Sequence, residues 1–166
     1  MPSVLFVCTA NIIRSPMAAA LFADRVEQKL KNNPTGLLTW RIESAGTWAM
    51  DDMPVAEKAL IVMHEMGLDL GQHRSRVVHR SLLKSFDLIL TMEKNQKEAL
   101  RAEFPELSSR IHLLSEMAGS FGDVPDPVGG SLLNFRDTAH ELAQLIDEGF
   151  DPICEFVLKN DNREQA

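Results

Sequence analysis

The strongest constraint on the fold is a regular alternation. Short apolar runs at residues 3–7, 38–44, 86–92 and 110–114 are separated by stretches with helical spacing and by turn residues. Runs of this length suit strands buried on both faces of a parallel sheet rather than buried helices. After the first run, Ser15-Pro16 supplies an N-cap hydroxyl and a proline at the first helical position. Leu21, Phe22, Val26 and Leu30 then keep one helical face, and Asn32-Asn33-Pro34-Thr35-Gly36 closes it. A second helix is expected from Pro54, with Val55, Ala59, Val62, Met63 and Met66 on one face and Gly67 at its end. Residues 73–81 read as a connection and 94–101 as a short helix ahead of Phe104-Pro105. A long helix from about Leu132 carries Leu133, Leu142, Leu145 and Ile146, and Asp151-Pro152 either kinks it or starts a last helix. Strands separated by helices require right-handed crossovers, so the expected fold is α/β: a single-domain open four-stranded parallel sheet with helices on both faces. Ligands of such sheets gather at the carboxyl ends of the strands, which is where Cys8 lies.

With 166 residues, 45% of them hydrophobic, the chain can bury one ordinary core. Residues 1–160 are taken as that domain and 161–166 as a polar tail, with fraying expected from Lys159 onward. A net charge of -7 argues against a nucleic-acid partner, because counterion release from a phosphate backbone needs a basic stripe; any phosphate is therefore bound locally. No apolar run approaches the roughly 20 residues of a membrane span, and no basic region with an apolar stretch opens the chain. A cytoplasmic protein without a membrane partner is the expectation. The two cysteines, Cys8 and Cys154, form no disulfide framework, and the five histidines make no HxxxH pair, so no metal is expected.

Chemistry concentrates after the first strand. In Cys8-Thr9-Ala10-Asn11-Ile12-Ile13-Arg14-Ser15-Pro16, one nucleophilic side chain stands at the strand end and one guanidinium six residues later, just before a helix. The N–H groups of a tight loop entering a helix can ring an anion, and the helix dipole adds about half a positive charge. Thr9, Ala10, Asn11, Ile12, Ile13, Arg14 and Ser15 are thus candidate phosphate ligands, with Arg14 able to pair two oxygens at once. The same field favours a thiolate, so Cys8 is expected well below the roughly 8.5 of a free thiol and able to attack phosphorus. An alkoxide or phenoxide leaves poorly unless protonated. Asp126, in a proline-stiffened loop after the fourth strand, is the candidate general acid and later the base for water.

At these residues the chain resembles the low-molecular-weight protein tyrosine phosphatase family, whose signature is a cysteine, five residues and an arginine near the amino terminus plus a distant Asp-Pro, here Asp126-Pro127. The resemblance extends through Glu43-Ser44-Ala45-Gly46-Thr47, His73-Arg74-Ser75-Arg76 and Asp87-Leu88-Ile89-Leu90-Thr91-Met92. It implies a four-stranded parallel sheet with flanking helices, no cofactor, and metal-independent hydrolysis through phosphocysteine. A phosphotyrosine-containing protein, for example a cellular kinase, is the expected partner. The resemblance also implies that Asn11, Ser44 and His73 form a hydrogen-bond network under the loop, and that the Ser15 hydroxyl steadies the thiolate.

The chain departs from the family pattern at three positions. Ala10 stands where glycine is frequent, so a negative φ is expected there. Ile13 replaces a second cysteine, removing the usual partner for a protective disulfide. Val128 stands where an aromatic residue often follows the Asp-Pro. Ile12, Trp48 and Val128 are the candidate rim against the leaving group, and Ile12 favours a phenyl ring, because related phosphoarginine phosphatases typically have threonine there. Trp48 reads almost equally well as packing near a strand end. Protein-arginine phosphatase is the alternative substrate class. Arsenate reductase fits less well, since that chemistry relays electrons through two further cysteines, and a pure phosphate-binding module would not need Asp126. Cys154, Met63 and Met66 read as core, His64 and His140 as surface or helix-packing residues, and Arg74, Arg76, Arg80 and Lys84 as a solvated face.

Overall fold

The computed structural model describes residues 1–32 and 39–164, with side chains to 160. Four parallel strands form one sheet in the order β2-β1-β3-β4: β1 Ser3–Cys8, β2 Arg41–Gly46, β3 Leu88–Thr91 and β4 Ile111–Leu113. The helices are α1 Arg14–Asn32, α2 Glu57–Glu65, α3 Arg80–Lys84, α4 Lys94–Glu103, α5 Leu114–Met117 and α6 Leu132–Glu164, with a 3₁₀ helix at Pro105–Arg110. Each residue of β1 is buried, and the pleat sends Val4, Phe6 and Cys8 to one face and Leu5 and Val7 to the other. The first face packs α1, α2 and α6; the second packs α3, α4 and the 3₁₀ helix. Phe22 of α1 joins the layers of the larger core, its ring 5.7 Å from Phe6, 5.4 Å from Trp40 and 5.4 Å from Phe150. The expected α/β class and helices on both faces therefore hold.

Several boundaries differ from the sequence reading. β2 starts at Arg41, not residue 38, and the proposed helix closure at residues 33–36 lies outside the described residues. The helix expected from Pro54 begins at Glu57, because Ala56 keeps an extended backbone (φ -55, ψ 138). The connection at 73–81 contains a parallel bridge from Val77 to Gly46 and the start of α3. Met63 is core, but Met66 caps α2 just before Gly67 (φ 81) and is exposed, as is Leu133 in the first turn of α6. Pro152 does not start a new helix: α6 runs through it to Glu164, into the segment expected to fray. A proline inside a helix costs about 3 kcal/mol, and burial of Phe150, Ile153 and Val157 around it offsets that loss. No helix among the described residues is long and apolar enough to cross a membrane.

Strand order places the site. The chain leaves β1 on one side to form β2 and crosses to the other side for β3, so a crevice opens at the carboxyl end of β1. Met92, just past β3, donates its N–H to the Val7 carbonyl (3.1 Å), and Val124 donates to the Met92 carbonyl (2.9 Å). These bonds lay residues 123–130 across the mouth of that crevice.

Candidate active site

Cys8 ends β1, almost wholly buried, with Sγ 3.0 Å from the Ser15 hydroxyl in the first turn of α1. Ser15 Oγ also lies 3.3 Å from the Ala45 carbonyl. The hydroxyl proton can turn to Ala45 when the sulfur carries a proton and to the sulfur when it does not. Between the two residues, the loop is held by Asn11, which is fully buried with φ 58. Asparagine tolerates that left-handed backbone, and here every polar atom of its side chain is bonded. Its Nδ2 donates to Ser15 Oγ (2.8 Å) and Ser44 Oγ (2.9 Å), and its Oδ1 accepts from the Arg76 N–H (3.0 Å). The Asn11 carbonyl accepts from His73 Nε2 at 2.7 Å. A carbonyl only accepts, so Nε2 carries the proton. Burial pushes the His73 pKa below its ordinary value, opposed by the Asn11 contact. The expected association of Asn11, Ser15, Ser44 and His73 is thus present. Ala10 is not among the residues with positive φ, so the strained position of the loop falls on Asn11.

The loop is also seated from outside. Thr47 donates to the Cys8 carbonyl (2.9 Å), Trp48 to that of Thr9 (3.0 Å) and Ala56 to that of Ile12 (2.9 Å). Gly46 allows this approach: a Cβ there would lie 2.4 Å from the Thr9 carbonyl oxygen and 3.1 Å from the Asn11 nitrogen. Gly46→Ala is expected to destabilise the protein by about 1–3 kcal/mol, as overpacking does. An unchanged urea midpoint for that variant would show that the loop does not depend on the close approach.

Arg14, 2% exposed, opens α1 and points across the loop. Its Nη1 donates to the Val124 carbonyl (2.9 Å) and lies 3.1 Å from Glu93 Oε1, while Nη2 lies 3.3 Å from Asp126 Oδ2. Asp126 Oδ1 in turn accepts from the Val128 N–H (3.1 Å). A buried guanidinium is thus held between two carboxylates and one carbonyl. Sequence reasoning missed Glu93 and its support, Gln96. Gln96 is 4% exposed; its Oε1 accepts from the Met92 and Glu93 N–H groups (both 3.0 Å), and its Nε2 donates to Glu93 Oε2 (3.1 Å) and Thr9 Oγ1 (3.0 Å). The signal was available: Glu93 and Gln96 stand three apart where a strand passes into a helix, the spacing of a capping box.

Cys8, Ala10, Ile12, Ile13, Arg14, Asp126 and Val128 line one small cavity of about 30 Å³. A larger hollow of about 380 Å³ lies behind the loop, between α1 and residues 70–76, away from the sulfur. Val128 is exposed beside the mouth. The Trp48 indole is 86% exposed, which discards the packing alternative, though it does not line the small cavity. Cys154 is half-buried on α6, and burial pushes its thiol up to about 11, which suits core packing and not redox exchange. Arg74, Arg76 and Arg80 are ion-paired with Asp52, Glu43 and Glu106. Among the described residues no group of three or more His, Cys, Asp or Glu side chains is placed to hold a metal ion.

Residues 3–157 match the family model of low molecular weight phosphotyrosine protein phosphatase. The chain belongs to this family. It is 33% identical over 144 residues to a protein-arginine-phosphatase of Bacillus subtilis, covering 86% of this chain and 91% of the relative. The structure is similar to that of the YwlE arginine phosphatase from Geobacillus stearothermophilus (TM-score 0.82, 30% identity, 96% of this chain and 97% of the other). It is equally similar to a low molecular weight protein tyrosine phosphatase from T. tengcongensis (TM-score 0.81, 36% identity, 92% and 99%). The family mechanism is that of a cysteine-dependent phosphatase, and relatives of both substrate classes match this chain closely.

Proposed function

We propose that the chain hydrolyses phosphorylated protein side chains through a phosphocysteine on Cys8, with Arg14 and the amides of residues 9–15 holding the phosphate and Asp126 exchanging the proton. The observation that carries this reading is one cavity lined by Cys8, Arg14 and Asp126 together, from positions 118 residues apart in the chain. An entering dianion takes the Arg14 fork from Asp126, while Glu93 stays on the far side and keeps the guanidinium facing the mouth. The sulfur attacks phosphorus in line; the S–P bond forms as the P–O bond breaks, and Asp126 gives its proton to the leaving oxygen. Water then attacks phosphorus, Asp126 takes its proton, and the sulfur leaves as a thiolate that accepts from Ser15. The outward seating of the loop carbonyls supports the anion cradle, since it leaves the N–H groups for the centre. The cytoplasm is the compartment that keeps such a thiol reduced.

The substrate class favoured by the mouth is phosphotyrosine, with a kinase of the same cell as a fitting partner. Ile12 and Val128 present apolar surface beside the sulfur, and Trp48 stands exposed on the loop that seats Thr9. A phenyl ring gains from such contacts, whereas a phosphorylated guanidinium would leave its N–H groups facing hydrocarbon. Phosphoarginine is the second reading, and similarity favours it: the arginine phosphatase matches are as close as the tyrosine phosphatase matches, or closer. Rates on phosphotyrosine, phosphoarginine and phosphoserine peptides decide between them. The expected kcat/KM is about tenfold or more in favour of phosphotyrosine over phosphoarginine, with phosphoserine lowest. Faster hydrolysis of phosphoarginine would transfer the assignment to the second reading.

A further inference from the structure

The loop that carries Asp126 borders an open hollow. A hollow of about 300 Å³ separates Pro125, Pro127 and Val128 from Asn134, Asp137 and Thr138 of α6. Val124 and Pro127 are buried, but Pro125, Asp126 and Val128 are exposed beside the hollow, so close packing holds only part of the loop and ties at its ends add to it. At the near end Arg14 donates to the Val124 carbonyl (2.9 Å). At the far end the Lys58 ammonium, in the first turn of α2, donates to the Gly130 carbonyl (2.6 Å).

The far tie is stiffly connected to the acid. Gly130 donates back to the Pro127 carbonyl (2.8 Å), Gly129 takes φ 76, and a Cβ on Gly130 would lie 2.8 Å from both Pro127 O and Asn134 Oδ1. That tight turn follows Val128, whose N–H holds Asp126 Oδ1. The helix supplying Lys58 is itself fixed to the nucleophile loop, because Ala56, its N-cap residue, donates to the Ile12 carbonyl (2.9 Å). Its other end is tied to α6 by the Glu65–Arg136 pair at 2.8 and 2.9 Å.

We propose that Lys58 is a positioning residue for Asp126: the first turn of α2 spans from the phosphate loop to the acid loop and sets the distance between sulfur and proton donor. This rests on the assignment of Asp126 as the acid. The ammonium touches neither phosphate nor leaving group, and it acts by keeping the acid loop from settling into the hollow below.

The test compares Lys58→Met and Lys58→Arg with the parent protein on phenyl phosphate, whose leaving group needs a proton, and on 2,4-dinitrophenyl phosphate, whose leaving group does not. Lys58→Met is expected to lower kcat/KM about threefold to tenfold on phenyl phosphate, the scale of one lost hydrogen bond, and to leave the activated ester within about twofold. Lys58→Arg, which can still donate to the carbonyl, is expected to recover most of the loss. Equal losses on both esters, no loss on phenyl phosphate, or no recovery by arginine would overturn the role. Asp126→Asn is measured alongside. If it separates the two esters and Lys58→Met does not, only the Lys58 role fails; if it does not separate them, the acid assignment fails and the Lys58 role with it.

Discussion

Cys8→Ser is expected to lower turnover of p-nitrophenyl phosphate by at least about 10⁴-fold, the scale on which removal of a covalent nucleophile acts. A serine hydroxyl in that position is far harder to ionise than a thiol, so the same field that suits a thiolate leaves it protonated and a poor nucleophile. The fold should survive, because serine is slightly smaller and Ser15 Oγ, 3.0 Å from the sulfur, can bond the new hydroxyl. Phosphate release and a thermal melt on the same preparation separate loss of chemistry from loss of structure. Substantial hydrolysis by a folded serine variant would exclude a cysteine mechanism in this chain. The phosphate site should meanwhile remain, since Arg14 and the loop amides are untouched, so inorganic phosphate should still bind the variant.

Asp126→Asn is expected to have the second largest effect and a distinctive pattern. Asparagine matches the shape of the carboxylate, and its oxygen can still accept from Val128 N–H, which now bonds Asp126 Oδ1 at 3.1 Å. The variant therefore loses the transferable proton and one negative charge with little change of geometry. On phenyl phosphate kcat/KM should fall about 10²- to 10³-fold, within the range for general acid catalysis. On 2,4-dinitrophenyl phosphate the fall should be under about tenfold, since that oxygen leaves without help. Inorganic phosphate should inhibit the variant more strongly, because the Asp126 carboxylate 3.3 Å from Arg14 Nη2 no longer competes for the guanidinium. Equal losses on both esters would remove Asp126 from the acid role and leave it as an ion-pair partner of Arg14.

Glu93 extends this picture. A guanidinium shared by two carboxylates can release one to a phosphate and remain oriented by the other, and the residue that stays is the one braced from behind. Gln96 bonds Glu93 Oε2 and Thr9 Oγ1 with one amide nitrogen, so the partner of Arg14 and the start of the phosphate loop move as a unit. Asp126, apart from its pair with Arg14, is bonded by the Val128 N–H of its own loop, which borders a hollow. The difference suits the proton-exchanging role proposed for Asp126.

Local features of the chain were enough for the strand-helix alternation, the burial of residues 4–7 and the loop from Cys8 to Arg14, and they named Asp126, which the fold brings into one cavity with Cys8 and Arg14. Each rests on short-range chemistry: side-chain period, the N-cap at Ser15-Pro16, and residue types that have few uses in such company. Element boundaries were less legible, because tertiary contacts outweigh local propensity at element ends. Ala56 stays extended since its N–H is taken by the Ile12 carbonyl, and α6 passes through Pro152 since the apolar residues around it are buried. Met66 and Leu133 share the helical period of core residues yet face solvent at the ends of their helices, where no neighbouring layer covers them. Partnerships such as Arg14 with Glu93, Gln96 with Thr9 and Lys58 with Gly130 span 72 to 87 residues of chain. Pattern and composition name the chemical groups along a chain; only the crossover from β2 to β3, which folds distant loops over one strand end, determines which of those groups meet.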